Sequence, residues 1–216
     1  LPQLLCPADS VISDAITPTS YVPNASPGDW AGSKARGPFD HDTFRRGVRW
    51  SEITDGATNT VAFSERLFRW PDGDAATAER LPLRYHWYVA VPRFSSAPPP
   101  LLEQVNLAEA SIQACRYGPR DFVPERPPLL AASWGGANGL RHYSHWFPPN
   151  TPQCVGPTYA FISSSAPASS DHRGGVNVAF LDGRVHFVSE NVDQRVWRAA
   201  GTHNGGEVEA TAIVNP

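Results

Sequence analysis

Asp182-Gly183 lies between two alternating stretches, Val176-Asn177-Val178-Ala179-Phe180 before it and Val185-His186-Phe187-Val188 after it. Asp-Gly flanked by such runs leaves the backbone little choice but a β-hairpin. The pattern predicts a type I′ turn, with positive φ at both central residues, which Asp tolerates and Gly favours. Val176, Val178 and Phe180 share one face of the outgoing strand, the face expected to enter a core. On the returning strand Val185 and Phe187 alternate with His186, which this reading puts on the polar side. Upstream stand His172 and Gly174-Gly175, placing an imidazole beside the loop that enters the hairpin.

The rest of the chain is written for turns. Its 216 residues include 22 Pro and 17 Gly, against 41% hydrophobic and 18% charged residues. That composition predicts one globular α+β domain over residues 1–216, with an antiparallel sheet, few short helices and long Pro/Gly-rich loops. Seven Trp, ten Phe and six Tyr supply the large apolar side chains to organise it. A net charge of −3 argues against a nucleic-acid partner. Arg45, Arg46 and Arg49 are interleaved with Asp40, Asp42 and Glu52 and read as a solvated mixed face. No stretch reaches the 18 or so apolar residues of a membrane span. The chain opens on Leu1-Pro2-Gln3 and has no Met, which suggests a processed or truncated product.

Residues 1–50 read as irregular. Asp55-Gly56 marks a turn, and Thr60 to Ser64 continues as a strand or helix start closed by Glu65 and Arg66. Leu83 to Val91 reads as a strand, as does Tyr159 to Ser163. Leu101, Val105, Ala108, Ile112 and Cys115 fall on one face of a helix over 101–115. A last helix runs from about Asn191 to Ala200, with Val192, Val196, Trp197 and Ala200 inward. Asn191 and Gln194 form a weak capping box, and Gly201 stops the helix as a C′ residue.

A disulfide between Cys115 and Cys154 would close a loop of about forty residues, stabilise by about 3–4 kcal/mol and favour an oxidising compartment. The alternative is three buried thiols; beside a disulfide, Cys6 is left over, either buried or paired outside this stretch of chain.

Several landmarks together resemble one bacterial family. His172, nine residues, then Asp182-Gly183 is similar to the C-terminal signature of prepilin-like proteins. Leu4-Leu5-Cys6-Pro7-Ala8-Asp9 resembles the segment that follows their N-terminal helix. Ile53 to Thr60 with Glu65 resembles their Thr-Asp-Gly block, and Pro148-Pro149-Asn150 with Cys154, and Gly201 to Val208, resemble later blocks. The resemblance implies a pilin-like or type II secretion pseudopilin-like head without its N-terminal helix, extracytoplasmic, in the periplasm or at the cell surface, and membrane-associated through that helix or a partner. On this reading it is a non-enzymatic structural subunit working by protein–protein contact in a membrane-associated or filamentous assembly. His172, Gly174, Gly175, Asp182, Gly183, Asp55, Gly56 and Glu65 are then signature residues that brace the fold.

Two other readings compete. Trp30, Trp70, Trp87, Trp134 and Trp146 could form a sugar-stacking surface of a carbohydrate- or ligand-binding module. His172, Asp182, His186 and Glu65 carry the groups of a metal-dependent hydrolase. Against the latter, Asp182 suits a turn, and Glu65 suits a buried partner for an Arg or for backbone N–H groups. Asp171, Asp182, Glu190 and Asp193 lie near one another but lack EF-hand spacing, a weak calcium signal. No nucleophile elbow, His-Glu-x-x-His, dinucleotide fingerprint or P-loop is present, so no other cofactor is expected. Ser163 to Ser165 reads as linker.

Overall fold

The computed structural model describes residues 2–9, 19–25, 37–39, 47–67, 87–89, 142–151, 153–155, 167–207 and 213. Six strands and one α-helix fall within them: β1 (Tyr21–Pro23), β2 (Val61–Glu65), β3 (Trp87–Val89), β4 (Gln153–Val155), β5 (Gly175–Phe180), β6 (Val185–Ser189) and α1 (Gln194–Ala200). β1, β2, β5 and β6 form an antiparallel sheet in that order, while β3 and β4 make a separate parallel pair. The predicted helix over 101–115, the strand at 159–163 and Cys115 lie outside the described residues. Of the strand expected over 83–91, Trp87–Val89 is described and is extended. A small α+β fold with an antiparallel sheet is therefore the observed architecture.

The hairpin forms where expected, with Val176 paired to Val188 and Val178 to His186. Its turn differs from the type I′ expectation. Gly183 donates its N–H to the Phe180 carbonyl, and the Phe180 N–H reaches the Arg184 carbonyl. Gly183 has φ +87° and Asp182 is not at positive φ, so this is a three-residue turn with the left-handed step on Gly alone. Asp182 instead accepts the Arg184 N–H at 3.0 Å and pairs with its guanidinium at 3.1 Å. The added loop residue reverses the expected facing of β6. His186 and Val188 now stand on the core side with Val178, while Val185 and Phe187 face solvent.

A second irregularity sits in β2. Val61 opposes Phe180 but Phe63 opposes Ala179, a bulge that leaves Ala62 as the extra residue. Val61 and Phe63 would share a face in a regular strand. The bulge sends Val61 inward, and Phe63 and Glu65 to the outer face with Ser64 inward between them.

Val22, Val61, Val176, Val178, Phe180 and Val188 cover the inner face and pack on Trp197, Ala199 and Ala200 of α1, with Tyr143 and Ala168 alongside. Each such side chain contributes about 1.5–3 kcal/mol by leaving water. Helix α1 is capped by Asp193, whose carboxylate accepts from the Arg195 and Val196 N–H groups, rather than by Asn191. Gly201 is not the left-handed stop that was expected, since its φ is −81°. It is glycine because a Cβ there would come within 2.5 Å of the His145 ring. Gly175 is constrained likewise: a Cβ would run into the Val188 carbonyl across the hairpin.

His145 is fully buried beneath α1, its ring stacked 3.8 Å from that of Trp197. Nδ1 lies 2.6 Å from the Trp197 carbonyl, which can only accept, so Nδ1 carries the proton and Nε2 accepts from the Tyr143 hydroxyl at 2.9 Å. Burial pushes this imidazole down from 6.5 to about 3, although its bond to the Trp197 carbonyl works in the other direction. Below about pH 6.5 the unfolded chain takes up a proton that the folded one refuses. Stability is therefore on its plateau above pH 6.5 and falls by up to about 1.4 kcal/mol per unit on the way down towards pH 3. Urea midpoints at pH 7 and pH 5 should differ by about 2 kcal/mol in stability, and His145→Gln should flatten that difference. An equal slope in the variant would assign it to other groups.

Arg66 is buried next to β2, and burial lowers its guanidinium to about 9. Its Nη1 donates to the His142 carbonyl at 2.8 Å. Asn24, also buried, donates to the carbonyls of Val61 at 2.8 Å and Gly201 at 2.9 Å, so one amide joins β1, β2 and the end of α1.

Candidate functional site

The outer face of the sheet carries two rows across the strands. Pro23, Phe63, Ala179 and Val185 form one; Tyr21 with Glu65, and Asn177 with Phe187, form the other. In this second row the Glu65 carboxylate accepts the Asn177 backbone N–H at 2.8 Å and the Asn177 side-chain amide at 3.2 Å. Two distant segments close over it. Cys6, from the N-terminal segment, points its thiol at Glu65 Oε1 from 3.3 Å. His172, from the loop entering β5, brings Nε2 to 3.1 Å from the same oxygen and 3.4 Å from Cys6 Sγ.

Glu65 is 2% exposed and Cys6 5%, whereas the His172 side chain keeps about a third of its surface in water. His172 is held by its own N–H on the Ser170 hydroxyl at 3.1 Å, and its ring meets Phe187 edge-on at 6.5 Å. Gly174, at φ +81°, makes the turn that follows. Burial, foremost, and the neighbouring Glu65 push the Cys6 thiol up, although the Ala8 and Asp9 backbone pulls the other way. The Tyr21 phenol is raised by its own burial and then by Cys6 and Glu65.

This geometry does not make a nucleophile. Cys6 and Glu65 meet the same ring nitrogen, whereas a relay needs the acid on Nδ1 and the thiol on Nε2. A thiol pushed up by burial is also the opposite of an activated one. The three groups can hydrogen-bond or hold a cation. Among the described residues they are the one group of three or more His, Cys, Asp or Glu side chains close enough for the latter.

Asp55 builds a second junction. Its carboxylate accepts from the N–H groups of Gly205 and Gly206, both at 2.8 Å, and from the Thr202 hydroxyl at 3.3 Å. The Glu207 carboxylate and the Ala199 carbonyl lie 3.0 and 3.1 Å from the same hydroxyl and share its single proton with Asp55. Gly56 turns the chain at φ +91°. The hairpin tip docks on the same loop, with Asp182 N–H on the Ala57 carbonyl and the Arg184 guanidinium on the Thr58 carbonyl.

Glu65 and His172 are thus brought together, and Asp182 and His186 do not join them. Asp182 is at the far tip of the hairpin, and His186 is on the opposite face, edge-on to Phe180 at 6.0 Å. The partner foreseen for Glu65 was an Arg or backbone N–H groups; it is a backbone N–H, with an amide, an imidazole and a thiol. The four carboxylates weighed for calcium do not gather: Asp182 and Asp193 hold turn and cap, and Glu190 takes the Asn150 amide at 2.9 Å. The Cys115–Cys154 disulfide falls outside the described side chains, and Cys6 is a free thiol. Of the tryptophans weighed for sugar stacking, only Trp146 is described as a side chain; it is half-buried, with Arg198 5.0 Å above its ring.

The profile of a family described as "Protein of unknown function (DUF1559)" matches residues 1–195. The chain belongs to the DUF1559 family. No curated protein and no solved structure matches it significantly. In this DUF1559 chain no helix among the described residues is long and apolar enough to cross a membrane.

Proposed function

We propose that this DUF1559 chain is a non-enzymatic, pilin- or pseudopilin-like head, working outside the cytoplasm by protein–protein contact within a membrane-associated or filamentous assembly. The observation that carries the reading is the apolar row on the outer face of the sheet. Phe63 is 42% exposed and Val185 63%, and Phe187, in the next row, is 50% exposed. Val185 and Phe187 stand on β6, an end strand of the four-stranded order. Apolar side chains aligned on an end strand favour association with another protein surface. The internal use of Glu65, His172 and Asp55 as ties between segments supports a rigid head rather than a catalyst.

The test is the state of the native protein. Gently extracted from its own cells and cross-linked, it should run as a defined larger species. Phe63→Asp with Val185→Asp should release it as a monomer whose melting temperature is within a few degrees of the parent. A native protein that runs as a monomer, or a complex indifferent to both substitutions, would overturn the reading.

A further inference from the structure

We infer that Cys6, Glu65 and His172 form a binding site for a zinc-class divalent cation, which staples the N-terminal segment and the β5 entry loop to the outer face of the sheet. The three ligand atoms already stand at the corners of a small triangle with edges of 3.3, 3.4 and 3.1 Å. Bond lengths of about 2.3 Å to sulfur and about 2.0–2.2 Å to nitrogen and oxygen give a tetrahedral centre edges of roughly 3.3–3.6 Å. The triangle therefore needs to open by only a few tenths of an ångström to receive the ion.

The donor set selects the ion. One thiol, one imidazole and one carboxylate suit zinc or cobalt, whereas calcium and magnesium want oxygen ligands throughout. The surroundings are those of a supported site. Asn177 holds the carboxylate by both oxygens, its backbone N–H on Oε2 and its side-chain amide on Oε1, with Oε1 also facing the thiol and the ring. His172 is the one partly exposed member, so it marks both the entry path and the side on which a water completes the fourth position. Binding replaces the thiol proton, released to solvent, by the cation; no bond is oxidised or reduced. The residues come from three segments, so the ion would tie residues 2–9 to β2 and to the hairpin loop at once.

Cobalt(II) is the probe, added to the reduced, chelator-stripped full chain with Cys115 and Cys154 replaced by Ser. One equivalent should produce a near-ultraviolet thiolate-to-cobalt band and visible bands of tetrahedral intensity, both abolished by one equivalent of zinc. Cys6→Ser should remove the thiolate band, and His172→Gln should weaken binding at least tenfold, the loss that even outer-sphere changes can cause. Both variants keep the Glu65–Asn177 bonds, so far-ultraviolet circular dichroism should match the parent. Zinc should raise the melting temperature of the parent and of neither variant. A parent without the thiolate band, a band surviving Cys6→Ser, or affinity unchanged in His172→Gln each overturns the site. The parent titration alone decides if a variant does not fold.

Discussion

Glu65→Ala is expected to destabilise the protein by about 3–4 kcal/mol and to open the N-terminal segment. The carboxylate is buried and accepts from two donors of Asn177, from Cys6 and from His172. Alanine leaves both Asn177 donors without that acceptor, at about 1–3 kcal/mol for each buried group left unmade. The thiol and the ring then lose the atom on which they converge. Glu65→Gln keeps one oxygen for the Asn177 backbone N–H but turns an NH₂ towards the Asn177 amide, Cys6 and His172, so about 1–2 kcal/mol is expected. Urea unfolding measures the stability. A thiol reagent, with chelator present, measures the opening: Cys6 should react slowly in the parent, at an intermediate rate in Glu65→Gln and fast in Glu65→Ala. Equal reactivity in all three would mean that Glu65 does not hold the segment down.

Trp197→Ala should cost still more, about 5 kcal/mol. The side chain is fully buried between sheet and loop, and truncating such a residue alone costs about 3–5 kcal/mol. Two further losses follow. The Phe147 carbonyl gives up its 2.8 Å bond from the indole, and the neutral His145 ring loses its stacking partner. For a domain of this size that corresponds to a melting temperature lower by roughly 10–20 °C. Trp197→Phe keeps most of the apolar volume but not the hydrogen bond, and should fall by about 1–3 kcal/mol. Calorimetry on the two variants separates packing from hydrogen bonding; equal losses would make the indole N–H the main contribution.

What could be read from sequence followed the range of the interactions. The hairpin was legible because its turn residues and its alternation are neighbours in the chain. The exposed face of β6 was not, because one extra turn residue reverses every side chain after it, and the same holds for the Ala62 bulge in β2. The final helix was placed within a few residues, yet Asp193 and not Asn191 caps it. Gly201 was rightly singled out for the wrong reason, since a ring from residue 145 decides it. Glu65, His172 and Cys6 all fell within the family blocks, yet nothing joined them: Cys6 was read as a leftover thiol, and Asn177 was one polar letter in an apolar strand. Their partners lie 59 to 166 residues away in sequence, and no local pattern encodes a meeting at that range. Tyr143 and His145 sit in a Pro-, Gly- and Trp-rich stretch that resembles loop until α1 covers it.

The bond from Arg66 to the His142 carbonyl bears on how much chain can lie between its two ends. Arg66 and His142 stand 76 residues apart in sequence, and one guanidinium holds them together. Residues 68–141 therefore lie, along the chain, between two positions that this bond holds together. The one described strand within them, β3, pairs with β4 and not with the main sheet. Doubling the length of a segment closed in this way costs only about 0.6 kcal/mol. A change in the length of chain between Arg66 and His142 should thus cost little, so long as the guanidinium still finds that carbonyl.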